Sequence, residues 1–144
     1  MKKFQFSLQK LLGLRHQETE QAKRSLAAAL AAEAMAQDRL EQAQSRLAER
    51  IALAAAGGYS VASYRQDREW IRFLQGEVEK AEQHLQEAQA ETARLRQLLL
   101  VARQRERILE KLRERRLEAY QLEVLLEEQR ELDERGQSPR TLRV

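Results

Sequence analysis

The sequence predicts an all-α protein, a long two-helix antiparallel coiled-coil hairpin whose second helix overhangs the first. Three observations lead there. Ala, Glu, Lys, Leu, Arg and Gln dominate the 144 residues, with one proline, five glycines and 5% aromatics, a make-up of strong helix formers. Two runs of largely apolar or small residues recur at alternating four- and three-residue steps. One adjacent glycine pair, Gly57-Gly58, separates the two runs.

With 34% of residues charged and few large apolar side chains, a compact core of normal size is not expected. What such a chain can bury is a narrow seam between helices. The length is that of a single domain, and the whole of 1–144 reads as one hairpin.

The first helix is predicted over about residues 5–56. Its seam runs Leu8, Leu12, Arg15, Thr19, Ala22, Leu26, Ala29, Glu33, Ala36, Leu40, Ala43 and Leu47, and Ile51 and Ala54 prolong it after one displaced step. A spacing averaging 3.5 residues keeps one stripe facing a partner helix. The many alanines on it allow close approach.

Gly57-Gly58 opens a predicted turn at about 57–62, where two permissive residues follow a long helix. Ser60 or Ser63 starts the next helix. Ser63-Tyr64-Arg65-Gln66 has the form of a capping box, in which the hydroxyl and the Gln side chain reach free backbone amides.

The second helix is predicted over about 63–135, with the seam Tyr64, Asp67, Ile71, Leu74, Val78, Ala81, Leu85, Ala88, Thr92, Leu95. At Leu98-Leu99-Leu100-Val101 two phases overlap, and the pattern resumes out of step as Val101, Arg105, Ile108, Leu112. Such a shift reads as a stutter. Gly136, Ser138 and Pro139 are expected to end the helix and leave a loose tail at 136–144. With the turn near Gly57-Gly58, residue 5 lies beside residue 111, so everything beyond about Leu112 overhangs the first helix.

Composition and patterning exclude several function classes. There is no cysteine, hence no disulfide, thiolate chemistry or zinc–thiolate site. Polar Gln5, Gln9 and Lys10 interrupt the stretch after Met1-Lys2-Lys3, and no apolar run reaches the length of a signal peptide or membrane span. The chain reads as soluble and intracellular, without membrane insertion. His16 and His84 are the only histidines; in the predicted register they stand roughly 24 Å apart along the axis, too far to share a metal. Two packed helices offer no concave pocket in which paired carboxylates would be desolvated, and Gly57-Gly58 lacks the Lys-Ser/Thr of a phosphate loop. No catalytic residue, cofactor or metal is expected.

Charge is unevenly placed. The net charge is +3, yet residues 103–116 hold seven basic and three acidic side chains, and residues 117–134 hold one and seven. Arg103, Arg107, Lys111 and Arg115 form one stripe and Glu106, Glu110, Glu114 and Glu118 another. Each cation has a glutamate three positions on, so the stripes suit a self-supporting solvated helix or a docking surface for a charged partner. The interleaved carboxylates and the lack of aromatics argue against nucleic acid.

Two further features point to protein partners. Trp70 and Phe73 flank the seam near the turn, where an aromatic pair suggests a contact site. Leu117, Tyr120, Leu122, Val124, Leu125, Leu126 and Leu132 lie on the overhang with no intrachain helix to cover them, so an oligomer or a partner is expected there.

The residues also resemble a known family. Phe4-Gln5-Phe6-Ser7-Leu8-Gln9-Lys10-Leu11-Leu12, with Arg15 and Glu18, resembles the start of the flagellar export protein FliJ family. Tyr64 to Val78 resembles its aromatic–aliphatic stretch, and Arg107-Ile108-Leu109-Glu110-Lys111-Leu112-Arg113-Glu114-Arg115-Arg116 with Glu127-Glu128-Gln129-Arg130-Glu131-Leu132-Asp133-Glu134 resembles its C-terminal half. The resemblance implies a non-enzymatic, stalk-like component of the bacterial flagellar type III export apparatus. Such a component binds the hexameric export ATPase, promotes its assembly, and contacts the membrane-embedded export gate and export chaperones. It would be cytoplasmic and peripherally associated with the inner-membrane apparatus. Carried over, Arg113, Arg115 and Arg116 would contact the ATPase ring. Leu40, Leu47, Trp70, Phe73 and Leu74 would contact the gate, although Ala43 and Leu47 stand where other members carry aromatics. The equivalent subunit of a virulence-type secretion system, or a generic scaffold coiled coil, are the alternatives.

Overall fold

The structure, a computed structural model, describes residues 2–58 and 60–141, with 138–141 described through the backbone alone. It is an all-α helical hairpin of two helices, α1 (Gln9–Ala56) and α2 (Val61–Thr141), with no strand among the described residues. Two packed units make it up among the described residues: 21–100, and 2–20 together with 101–141.

In the unit of residues 21–100, the expected seam is the buried stripe. Ala29, Leu40, Leu74 and Leu99 are buried, and Leu26, Ala36, Ala43, Leu47, Ile71, Val78, Ala81 and Leu85 are half-buried. A fully buried leucine contributes about 1.5–3 kcal/mol, several times an alanine, so the leucines hold the unit and the alanines set its spacing. Thr92, only 2% exposed, donates its hydroxyl to the Ala88 carbonyl at 3.0 Å, which satisfies it within its own helix.

Near the turn the seam differs from the expected one, and Tyr64, expected on it, is exposed. Arg50 takes the place expected of Ile51, which is exposed. Arg50 Nη2 donates to Asp67 Oδ1 at 2.6 Å, and position 50 keeps the four-three rhythm that the step to Ile51 would have broken. The turn is shorter than 57–62, because α2 begins at Val61. Ser60 caps it: the Ser63 amide donates to Ser60 Oγ at 3.2 Å, and the Tyr64 amide to the Ser60 carbonyl at 3.1 Å. Ser60 rather than Ser63 is therefore the N-cap. No described glycine has positive φ, so Gly57 and Gly58 end α1 through weak helix propensity and not through a left-handed cap.

The unit of residues 2–20 and 101–141 departs further. α1 starts at Gln9, not near residue 5. Residues 2–6 form no helix, and the rings of Phe4 and Phe6 both lie against α2, beside Arg113 and Arg116. Phe6 is buried. A chain outside a helix is not held to the helical rise of about 1.5 Å per residue, so this short segment can reach further along α2 than a helix would. It reaches Tyr120, whose hydroxyl donates to the Lys2 carbonyl at 2.6 Å, and the overhang expected from Leu112 begins later. Thr19 is buried and donates to the Arg15 carbonyl at 3.0 Å.

The expected stutter is absent. Buried and half-buried positions on α2 continue as Leu95, Leu99, Ala102, Glu106 and Leu109. Glu106 holds the seam position through His16, whose Nδ1 lies 2.7 Å from Glu106 Oε1. Val101 and Ile108 are exposed; they belong to another face of the helix. At its end α2 runs through Gly136 and Pro139 to Thr141, past the expected stop at 135; Gly136 disfavours a helix by only about 1 kcal/mol, against about 3 kcal/mol for a proline. The remainder of the predicted tail, 142–144, lies outside the described residues.

Candidate protein-binding surfaces

Each unit carries one candidate surface. In the unit of residues 21–100 the small side chains Ala36, Ala43 and Ala81 leave an open groove walled by Trp70 and Phe73. These two rings are one helical turn apart on α2 and stack with centroids 5.4 Å apart and planes at 27°. Both remain about half exposed, 49% and 54%, so they brace one another while keeping a face to solvent. Arg39, Arg46 and Lys80 rim the groove, and Lys80 pairs with Glu77 at 3.3 Å.

Of the five residues the resemblance suggested for a gate contact, Leu40 and Leu74 are core, and Leu47 is half-buried in the seam. Trp70 and Phe73 alone present large apolar surface. An aromatic pair three apart was readable in the sequence. The alanine floor of the groove was not, because the same alanines serve the seam.

The second surface lies on α2 in the other unit. Arg113 places its guanidinium 5.8 Å from the Phe4 ring centroid, and Phe4 packs on Tyr120 at 5.6 Å. Arg116 sits 5.4 Å from the Phe6 ring and donates to Ser7 Oγ at 2.7 Å. Arg115 is exposed and points elsewhere, since adjacent helix positions are 100° apart. Two of the three arginines expected to face a partner thus also clamp the N-terminal segment. The alternation Phe4-Gln5-Phe6 was the signal for that segment. Beyond Tyr120, Leu122, Leu125, Leu126 and Leu132 are exposed.

The other sequence candidates are local. His84 Nδ1 lies 3.8 Å from Glu87 Oε2, and among the described residues no three His, Asp or Glu side chains gather as a metal site. Among the described residues no helix is long and apolar enough to cross a membrane. Comparison with the curated proteins and with the solved structures returned no match. The family model described as "Flagellar FliJ protein" matches residues 4–138.

Proposed function

The chain belongs to the flagellar FliJ protein family and so is a component of the flagellar export apparatus, and from that membership we propose a stalk role. The protein is non-enzymatic. It binds the hexameric export ATPase, promotes ring assembly and turnover, and links the ring to the export gate and to export chaperones from the cytoplasmic side of the inner membrane. The end of α2 enters the ring, and the Trp70–Phe73 groove meets the gate.

The observation that carries this reading is the end of α2. It runs on to Thr141 past the last residue that the N-terminal segment covers, with exposed leucines set among carboxylates. A helix built this way keeps its own hydrogen bonds and offers contacts on every side, as a shaft within a ring requires. The charged side chains give weak, distributed contacts that do not lock it to one subunit.

The test is titration of the protein into its cognate export ATPase, with rings counted by electron microscopy and turnover followed by phosphate release. Stimulation below one protein per hexamer supports the stalk. An ATPase whose assembly and turnover ignore the protein at equimolar ratio would rule it out and leave a scaffold.

A further inference from the structure

α2 carries a second heptad frame in the unit of residues 101–141. Val101, Ile108, Arg115 and Leu122 recur every seven residues, and Lys111, Glu118, Leu125 and Leu132 recur between them. This frame lies on the far side of the helix from the seam residues Ala102, Leu109 and Arg113. All of its members are exposed, Ile108, Leu125 and Leu132 by 66%, 62% and 66%. It spans more than four heptads, enough for a coiled-coil seam, and no part of the described chain covers it.

We propose that this outer face is a homodimer interface, on which two copies of the chain pair antiparallel along residues 101–132. The register follows from the frame. With Arg115 opposite Glu118 of the second copy, Ile108 meets Leu125, Val101 meets Leu132, and the stem of Lys111 lies on Leu122. A two-fold axis repeats every contact, so two Arg–Glu pairs sit at the centre with aliphatic pairs outside them.

Charge selects both the occupant and its direction. The basic block 103–116 of one copy runs along the acidic block 117–134 of the other, and Arg107 falls beside Glu128. A parallel pair would set Lys111 on Lys111, Arg115 on Arg115 and Glu118 on Glu118, which like-charge repulsion opposes. The dimer covers the leucines at the end of α2, so a copy held in it is withheld from any other partner of that end. The inference rests on the face itself and stands whether or not the end of α2 enters a ring.

Sedimentation equilibrium of the full-length protein, from low micromolar concentration upward, tests it. A monomer–dimer equilibrium that weakens with salt is expected. Arg115→Glu or Glu118→Arg alone should weaken dimerisation roughly tenfold or more, and the two together in one chain should restore it, because the central pairs re-form with signs exchanged. Circular dichroism checks that each variant keeps its helices, as changes at exposed positions allow. Since the chain has no cysteine, mixing an Ile108→Cys protein with a Leu125→Cys protein reads the direction: oxidation should join the two kinds of chain. A monomer at all concentrations, a double variant as weak as the singles, or disulfides joining Ile108→Cys chains to each other would overturn the proposal.

Discussion

The Arg116 guanidinium lies over the ring of Phe6, 5.4 Å from its centroid. This contact ties a non-helical N-terminal segment to a helix residue more than a hundred positions away in sequence. Phe6 is buried by it, Ser7 accepts a hydrogen bond from the same arginine, and Tyr120 fixes the segment's other end at Lys2. The arginines of the basic block therefore have a structural duty beside any binding one.

Phe6→Ala is expected to destabilise the protein by about 3–5 kcal/mol, the range for emptying a buried aromatic site. The loss should be local as well as global. Amide hydrogen exchange should rise over residues 2–20 and around Arg113 to Tyr120. Unchanged exchange there would mean that the segment is not held by its ring.

Asp67→Ala should cost about 1–3 kcal/mol, because it strands a part-buried guanidinium. Arg50 and Asp67 are 34% and 26% exposed at the side chain, and Arg50 Nε is already buried without a partner. Arg50→Met together with Asp67→Leu should recover much of the loss, since an apolar pair fits a seam position. Urea denaturation of the three variants gives the comparison.

Much of this fold was legible in the sequence, for identifiable reasons. Leu74, Val78, Ala81 and Leu85 are apolar on one phase only, so burial followed the pattern. At Leu98-Leu99-Leu100-Val101 every phase finds an apolar residue, and the seam continues through Ala102 and Glu106, a small and a charged side chain that do not announce burial. Val101 and Ile108 are apolar at seam-like spacing but belong to the outer face. The start of α1 at Gln9 was not legible because Leu8, Leu11 and Leu12 extend a helical pattern backward toward the N-terminal segment. Of the candidate contact residues, the aromatic pair was recognisable from size and spacing. Whether Leu40 and Leu74 face a partner or the core depended on the phase of both helices at once.

Replacing Trp70 and Phe73 together by alanine should leave helix content unchanged and shift stability by no more than about 1 kcal/mol, given rings half in solvent. Binding of a partner in the adjacent groove should weaken by about 2 kcal/mol or more, as for exposed aromatic anchors generally. Calorimetric titration of the cytoplasmic part of the export gate measures it. Loss of helicity would show the rings to be core.

One pH dependence follows from Glu91 and Arg94. Hydrogen bonds from Arg94 Nε at 2.9 Å and Nη2 at 2.5 Å hold the Glu91 carboxyl below its ordinary value, aided by the arginine's charge. A depressed folded-state pKa means that the contribution is present above the ordinary glutamate range and disappears as pH falls through the lowered value. Both side chains are exposed, so the effect is small and screened by salt. Glu91→Gln should flatten the acid side of the stability profile slightly, and only at low ionic strength.

The basic block gives the test that separates structure from binding. Arg115 is exposed and holds no part of the N-terminal segment, so Arg115→Glu should change stability by less than about 0.5 kcal/mol. Arg116→Glu removes both the contact over Phe6 and the bond to Ser7, and places a carboxylate against an aromatic face. Discounted for solvent, those contacts suggest a loss of about 1 kcal/mol. If the block also meets the ATPase ring, both variants should lower stimulation of the cognate ATPase, most strongly at low salt. The two would then differ in melting temperature and agree in stimulation. Full stimulation by the Arg115→Glu protein, with its melting temperature unchanged, would remove Arg115 from the ring contact. A stimulation loss confined to Arg116→Glu, and recovered at temperatures well below its melting point, would show that the arginine acts by holding the segment in place.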